Sequence, residues 1–126
     1  MSDHDDVVSV RYIVDDDVQA SMDFYTTHFG FTVNMAHPPA FADVGRGRLR
    51  LLLSGPGSSG HRATPPGTPP GRNRIHLVVD DVDAEAARLR AAGLTFVSDV
   101  VEGPGGRQFL VADPGGNLVE LFTPGR

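Results

Sequence analysis

Three side chains capable of ionic or acid–base chemistry stand in two short apolar runs in the second half of the chain. Arg74 and His76 are two residues apart in one run, and Glu120 lies in the other. Because alternate side chains of an extended strand share a face, Arg74 and His76 are expected to point the same way. Such a set could bind an oxyanion through arginine, transfer protons, or hold a divalent metal through His76 and Glu120.

Several other chemistries are excluded or disfavoured by the residue types. The chain has no cysteine, which excludes disulfides, thiolate metal sites and cysteine nucleophiles. The run 58–61 (Ser-Ser-Gly-His) is no nucleophile elbow, and its His61 is expected to be a solvent-exposed residue of a connector. The glycine-rich run 103–107 is followed by strand-like sequence and lacks the helix of a phosphate cradle. It is interpreted as the rim of a site, where Arg107 could touch a ligand.

Length and charge restrict the class of protein. A chain of 126 residues with 40% hydrophobic and 21% charged residues is typical of one globular domain. Its net charge of −5 disfavours binding to nucleic acid. No apolar run approaches the roughly 20 residues of a membrane-spanning helix. The acidic start of the sequence has no secretory pattern, so a cytoplasmic location without a membrane partner is expected.

The elements that would position these residues come from an internal repeat. The run 10–18 matches the run 74–82: each is apolar, ends in aspartates and a valine, and precedes a stretch with helical spacing of apolar residues. Asp17 and Asp81 are predicted helix N-caps, and Gly30 and Gly93 are predicted to end the helices. Three strand-like runs follow in each half. They cover residues 31–36, 40–44 and 48–53, and then 94–97 (with a possible extension to 101), 108–112 and 117–122, with a turn at 113–116.

These elements predict an α+β domain made of two βαβββ modules. The first module spans about residues 7–54 and the second about residues 74–124. Residues 55–73 are rich in Gly, Pro and Ser, show no periodicity, and are predicted to form a linker without regular structure.

This arrangement, together with the run 17–25 (DVQASMDFY) and the run 113–122 (DPGGNLVELF), resembles the glyoxalase/bleomycin resistance/extradiol dioxygenase (vicinal oxygen chelate) superfamily. The resemblance covers residues 7–124 and implies two modules whose curled mixed sheets form an open cup, with helices outside and the ligand inside. Strand alternation then assigns the lining. The expected ligand-binding residues are Val10, Tyr12, Arg50, Leu52, Arg74, His76, Glu120 and Phe122; Val8, Val14, Arg48 and Val78 are also expected to face inward.

Catalytic members of the superfamily hold a divalent metal with ligands on the first and fourth strands of each half. Counting from the aspartate before each helix and aligning the closing strands places these positions at Val10, Leu52, Arg74 and Glu120. Valine and leucine have no donor atom, and arginine is a permanent cation. We therefore expect no metal cofactor and no metal-dependent catalytic residue, and we expect Arg74 to approach Glu120 in the space a metal would fill.

Two functions from different classes remain open. The first is a small-molecule-binding protein with a degenerate metal site, which takes an anionic or aromatic ligand in the cup and forms a homodimer. The second is an enzyme: a divalent-metal-dependent lyase, isomerase or dioxygenase that uses His76 and Glu120, or a metal-free enzyme with these two residues as an acid/base pair. A carboxylate beside an arginine is a poor base near neutral pH, which favours the first.

Overall fold

A computed structural model describes residues 9–65, 67–69 and 74–125 of the chain. It divides into two compact units between Thr68 and Pro69. The first unit contains β1 (Ser9–Ile13), α1 (Val18–His28), β2 (Thr32–His37), β3 (Phe41–Arg46), β4 (Leu49–Ser54) and α2 (Ser59–Ala63). The second contains β5 (Arg74–Val78), α3 (Val82–Ala91), β6 (Thr95–Phe96), β7 (Val101–Gly103), β8 (Gly106–Ala112) and β9 (Leu118–Pro124). Within the described ranges, no helix has both the length and the apolar character needed to cross a membrane.

The first unit is a mixed sheet with strand order β1-β4-β3-β2, in which β1 runs parallel to β4 and the other neighbours are antiparallel. The Asp17 side chain accepts a hydrogen bond from the backbone of Gln19, so it caps α1 as predicted. One face of the sheet is apolar and buried together with Val18 and Tyr25 of α1. We call the opposite face of this sheet its open face.

The second unit repeats this plan with strand order β5-β9-β8-β6, and β7 also pairs with β8. Asp81 caps α3 by accepting from Ala84, and Gly93 follows the helix with a φ of 80°. The predicted turn at residues 113–116 is present as the connection between β8 and β9. The buried face carries Ile75, Leu77, Phe109, Val111, Val119 and Leu121, each at most 4% exposed. Its opposite face is the open face of the second sheet. The α+β class with mixed sheets is therefore confirmed.

The predicted orientation of β1 is wrong. Val10 pairs with Leu51 and Tyr12 with Leu53 in the parallel register, so both lie on the buried face, and Tyr12 is only 3% exposed. Val14 is also buried, and Val8 lies outside the described residues. The cause is one extra residue before the helix: residues 14–17 separate β1 from α1, whereas residues 79–81 separate β5 from α3. Counting back from the helix therefore shifts the strand by one position, which exchanges its two faces.

The prediction that residues 55–73 form a linker without regular structure is wrong for one short segment. Residues 59–63 form the short helix α2, capped by the Ser58 hydroxyl, which accepts from the backbone of His61. His61 is not simply solvent-exposed: its side chain is 29% exposed, and Nε2 lies 3.1 Å from the Asp15 carboxylate. Periodicity could not reveal a five-residue helix, because a single turn shows no repeating apolar face.

Candidate functional site

The site is built around Glu120, in the middle of β9. Its neighbours Val119 and Leu121 point to the buried face and are fully buried, so alternation directs Glu120 to the open face. There the Glu120 side chain is still only 8% exposed. β5 runs parallel beside β9, with His76 directly paired with Glu120 and Arg74 paired with Leu118. The second sheet thus places a carboxylate beside two nitrogen-bearing side chains, as the sequence predicted.

Both carboxylate oxygens of Glu120 are engaged. Arg74 Nε lies 2.8 Å from Oε1, and His76 Nδ1 lies 2.5 Å from Oε2. The predicted approach of Arg74 to Glu120 is confirmed. The two partners are more accessible than the carboxylate, because the side chains of Arg74 and His76 are 45% and 50% exposed. The cluster therefore presents cationic and imidazole groups outward and keeps its anion beneath them.

An aromatic ring extends this cluster. Phe122 follows Glu120 by two residues and lies on the same face, and its ring centroid is 4.9 Å from that of His76, with the planes inclined by 41°. Half-buried Leu110 pairs with Glu120 on the other side. The open face of the second sheet therefore combines ionic groups with an apolar, aromatic border.

The residues at the positions of the superfamily's metal ligands do not fit a metal ion. Arg74 is a cation and sits on one oxygen of Glu120, while His76 occupies the other. In the first unit the structural counterpart of Arg74 is Ser9, not Val10, because Ser9 pairs with Arg50 as Arg74 pairs with Leu118. Leu52 remains the counterpart of Glu120 and has no donor atom. Among the described residues, no three His, Cys, Asp or Glu side chains are grouped to hold an ion.

The open face of the first sheet carries a different cluster, centred on Asp43. Arg50 donates to the Asp43 carboxylate, and Asn34 Nδ2 donates to the same group at 3.2 Å. Burial raises the pKa of Asp43, but these hydrogen bonds outweigh it, and the pKa lies below its ordinary value. The same contact raises the pKa of Arg50. Arg50 is therefore on the open face as predicted, but its charge is partly balanced by a carboxylate that sequence reasoning missed.

Asp43 could have been found from its spacing. Asp43 lies seven residues before Arg50 across the turn at Gly47, and the hairpin register pairs Asp43 with Leu52. An aspartate between the buried Ala42 and Val44 must point to the opposite face of the strand. Diagonal neighbours across a hairpin are within reach of a long arginine side chain.

Of the other predicted ligand contacts, some lie on an open face and some do not. Leu52 lies half-buried on the open face, as expected, whereas Val10 and Tyr12 do not lie there. Arg48 lies in the β3–β4 turn. Arg107, at the β7–β8 hairpin, binds Asp83 at 2.8 Å, and this contact raises the pKa of its guanidinium.

Each unit has a strand, a helix and then three or four further strands in one mixed sheet. This order, with polar residues on the open face of each sheet, defines the class of fold. The sequence profile of the Glyoxalase/Bleomycin resistance protein/Dioxygenase superfamily matches residues 6–121, and the chain belongs to this superfamily.

Similar proteins include an antibiotic binding protein and an enzyme. TnmS3, an antibiotic binding protein from Streptomyces sp. CB03234, is 28% identical with a TM-score of 0.75, over 99% of this chain and all of that one. Lactoylglutathione lyase from Agrobacterium tumefaciens is 25% identical with a TM-score of 0.75, over 97% of this chain and 96% of that one. An uncharacterized protein of Mycolicibacterium smegmatis is 28% identical over 98% of this chain and 97% of its own length.

Proposed function

We propose that this protein binds a small anionic molecule with aromatic or amphipathic character on the open face of its second sheet, without a metal. The observation that carries the proposal is the commitment of both Glu120 oxygens to Arg74 and His76. A carboxylate held in this way is not available as a metal ligand or as a free base. It instead fixes the positions of the two side chains that a ligand would meet.

Arg74 is the proposed anchor for the anionic group. Its contact with Glu120 is made through Nε, so this ion pair does not require its two terminal nitrogens. The side chain is 45% exposed, so a carboxylate or phosphate can approach these donors in the bidentate geometry that arginine favours. The carboxylate of Glu120 holds the guanidinium in place, which lowers the entropic cost of binding.

His76 and Phe122 are the proposed contacts for the rest of the ligand. Their rings are adjacent, and a planar group can pack against them while its anionic substituent reaches Arg74. Arg50 and Leu52 lie on the open face of the first sheet and are proposed ligand contacts of that unit by itself. Val10 and Tyr12 are no longer part of the proposed site, because both lie on the buried face. A cytoplasmic homodimer belongs to the same proposal.

The relatives support binding without excluding catalysis. TnmS3, an antibiotic binding protein, matches this chain over its whole length and gives a precedent for the binding of a small molecule by this fold. The lyase from Agrobacterium tumefaciens favours the alternative, a divalent-metal-dependent lyase, isomerase or dioxygenase using His76 and Glu120. The 2.5 Å contact between these two side chains would have to open before either could ligate an ion.

A calorimetric titration tests the proposal. The probes are aromatic carboxylates and aromatic phosphates of increasing size, each beside its uncharged amide or alcohol analogue. We expect the anionic member of a pair to bind more tightly, and Arg74→Gln to weaken it by about 10- to 100-fold, the value of one or two charge-assisted hydrogen bonds. Arg88→Gln is the matched control, since Arg88 is 46% exposed and also pairs with a glutamate, Glu85, three residues earlier on α3.

The same protein, prepared without chelator or nickel resin, should be incubated separately with Ni, Mn, Fe(II), Zn and Co and then desalted. We expect no stoichiometric retention. Retention of one ion per chain that disappears in Glu120→Ala and His76→Ala would overturn the proposal and support the enzyme. Equal binding of charged and uncharged probes would overturn the role of Arg74.

A further inference from the structure

Arg11 occupies the position in the first unit that His76 occupies in the second. It pairs with Leu52 in the parallel register, as His76 pairs with Glu120, so its side chain lies on the open face. Matching the runs 10–18 and 74–82 predicts Tyr12 at this position. The extra residue before α1 therefore turns an arginine, and not a tyrosine, toward the open face of the first sheet.

The guanidinium of Arg11 is held by neutral groups. Nη1 donates to the Ser54 hydroxyl at 2.7 Å, and Ser54 is fully buried at the end of β4. On the other side the guanidinium lies against Gly60 of α2, where a Cβ atom would come within 2.0 Å of Nη1. A side chain at position 60 would displace the guanidinium from this place. A second contact, between His61 and Asp15, ties α2 to the chain just after β1.

No carboxylate of the described residues lies within salt-bridge distance of Arg11. Five other arginines of the described residues lie within salt-bridge distance of an aspartate or glutamate; these are Arg50, Arg74, Arg88, Arg90 and Arg107. Within those same residues Arg11 has no such pair, and its one hydrogen bond to a side chain goes to a hydroxyl. An arginine that is fixed in position but not neutralised is prepared to bind an anion, because little side-chain entropy is lost when the anion arrives.

We propose that Arg11 is an anion-binding residue for the phosphate or carboxylate group of a small molecule, positioned by Ser54 and Gly60. This inference goes beyond the proposed function, since it concerns a residue that the proposed function does not use and requires nothing of the Arg74 cluster. Ser54 fixes one terminal nitrogen, and α2 keeps the guanidinium from swinging away. The remaining donors of the guanidinium are the ones offered to the oxyanion.

The test is a titration of the full-length protein with inorganic phosphate, and then with benzoate, at constant ionic strength. Two-dimensional NMR of the arginine Nε–Hε groups follows each guanidinium separately, and Arg11→Lys assigns the Arg11 signal. We expect the Arg11 signal to move to saturation, with an affinity at least about 10-fold tighter than any change at Arg62. Arg62 is the internal control, because it is an exposed arginine on α2, the short helix that Arg11 contacts at Gly60.

Two variants test the positioning. Ser54→Ala removes the acceptor, and Gly60→Ala pushes the guanidinium aside; each should weaken the anion at Arg11 several-fold, while circular dichroism verifies the fold. A linear drift of the Arg11 signal that matches Arg62 would overturn the inference, and so would unchanged affinity in both variants. Arg74→Gln distinguishes the two proposals. The saturable change of the Arg11 signal should persist in this variant, and its disappearance would mean that the Arg11 signal reports on binding at Arg74. Failure at Arg11 with Arg74-dependent binding intact would leave the proposed function standing.

Discussion

Replacing Arg74 by methionine should destabilise the fold, because it leaves a buried carboxylate with a single partner. The Glu120 side chain is 8% exposed, whereas Arg74 is 45% exposed. Breaking a fully buried pair by removing one member costs about 3–5 kcal/mol. Water can reach the place vacated by a half-exposed arginine, and His76 stays on the second oxygen, so we expect about 2 kcal/mol. For a chain of this length that corresponds to a fall in Tm of about 6–10 °C.

Thermal and urea unfolding at pH 7 measure this change, with Arg88→Met as the control. Arg88 pairs with Glu85 three residues earlier on α3, at nearly the same exposure as Arg74. Loss of such a surface pair should cost about 0.5 kcal/mol or less. Because both variants replace an arginine by methionine, the difference between their losses of unfolding free energy reports on the burial of the partner carboxylate.

A second comparison determines whether the destabilisation comes from a stranded charge. The triple variant Arg74→Met, His76→Leu and Glu120→Leu removes the carboxylate together with both partners. It should be at least as stable as the single variant Arg74→Met and should approach the parent, because no unpaired charge remains buried. If Arg74→Met unfolds like Arg88→Met, or if the triple variant is clearly less stable than the single one, then the ion pair with Arg74 does not stabilise the buried Glu120 carboxylate.

Three further outcomes are expected. Asp43→Asn should make the free energy of unfolding less dependent on pH in the acid range. The pKa of Asp43 is lowered in the folded protein, so the carboxylate contributes stability above pH 3.8, its ordinary pKa, and this contribution is lost as the pH falls through the folded-state pKa. Equal acid sensitivity of parent and variant would contradict this. Gly106→Ala should cost about 1–3 kcal/mol by urea unfolding, because φ is 149° and a Cβ would approach the Thr123 carbonyl oxygen to 2.2 Å. The control Gly103→Ala meets nothing within 4 Å and should cost less than about 1 kcal/mol. Similar losses for the two variants would refute this prediction. Asp81→Ala should cost about 1 kcal/mol by loss of the α3 cap, and a change below about 0.3 kcal/mol would argue against the capping bond.

Most of the second unit could be predicted from the sequence. The run from Arg74 to the aspartates alternates cleanly, and its three-residue connection to α3 is short, so the faces of β5 follow from the pattern. Glu120 lies between two buried apolar residues on a strand whose start is fixed by the turn at residues 113–116. Because pattern and turn agree here, both the contact between Arg74 and Glu120 and the position of His76 were predicted.

The first unit shows where this reasoning stops. In β1, Val10 and Tyr12 are apolar, but Ile13 is apolar as well, so alternation alone did not decide which face was buried. Counting from Asp17 predicts the wrong face, because the connection between β1 and α1 is one residue longer than that between β5 and α3. Loops accept insertions at little energetic cost, whereas strand faces do not accept a shift of one residue. Register in the sheet is therefore the safer guide to equivalence between the two halves.

That register exposes an inversion between the two sheets. In the first, Asp43 on β3 faces Leu52 on β4; in the second, Leu110 on β8 faces Glu120 on β9. Each open face thus keeps one buried carboxylate in the same cross-strand pair, but on opposite strands. Each carboxylate is paired with an arginine, Arg50 in one sheet and Arg74 in the other. A site that needed bare carboxylates for a metal would have to break an ion pair in either sheet, whereas a site that receives an anion can use the outer donors of the same arginines as they stand. The arrangement of both sheets therefore favours anion binding over metal chemistry by the same physical argument.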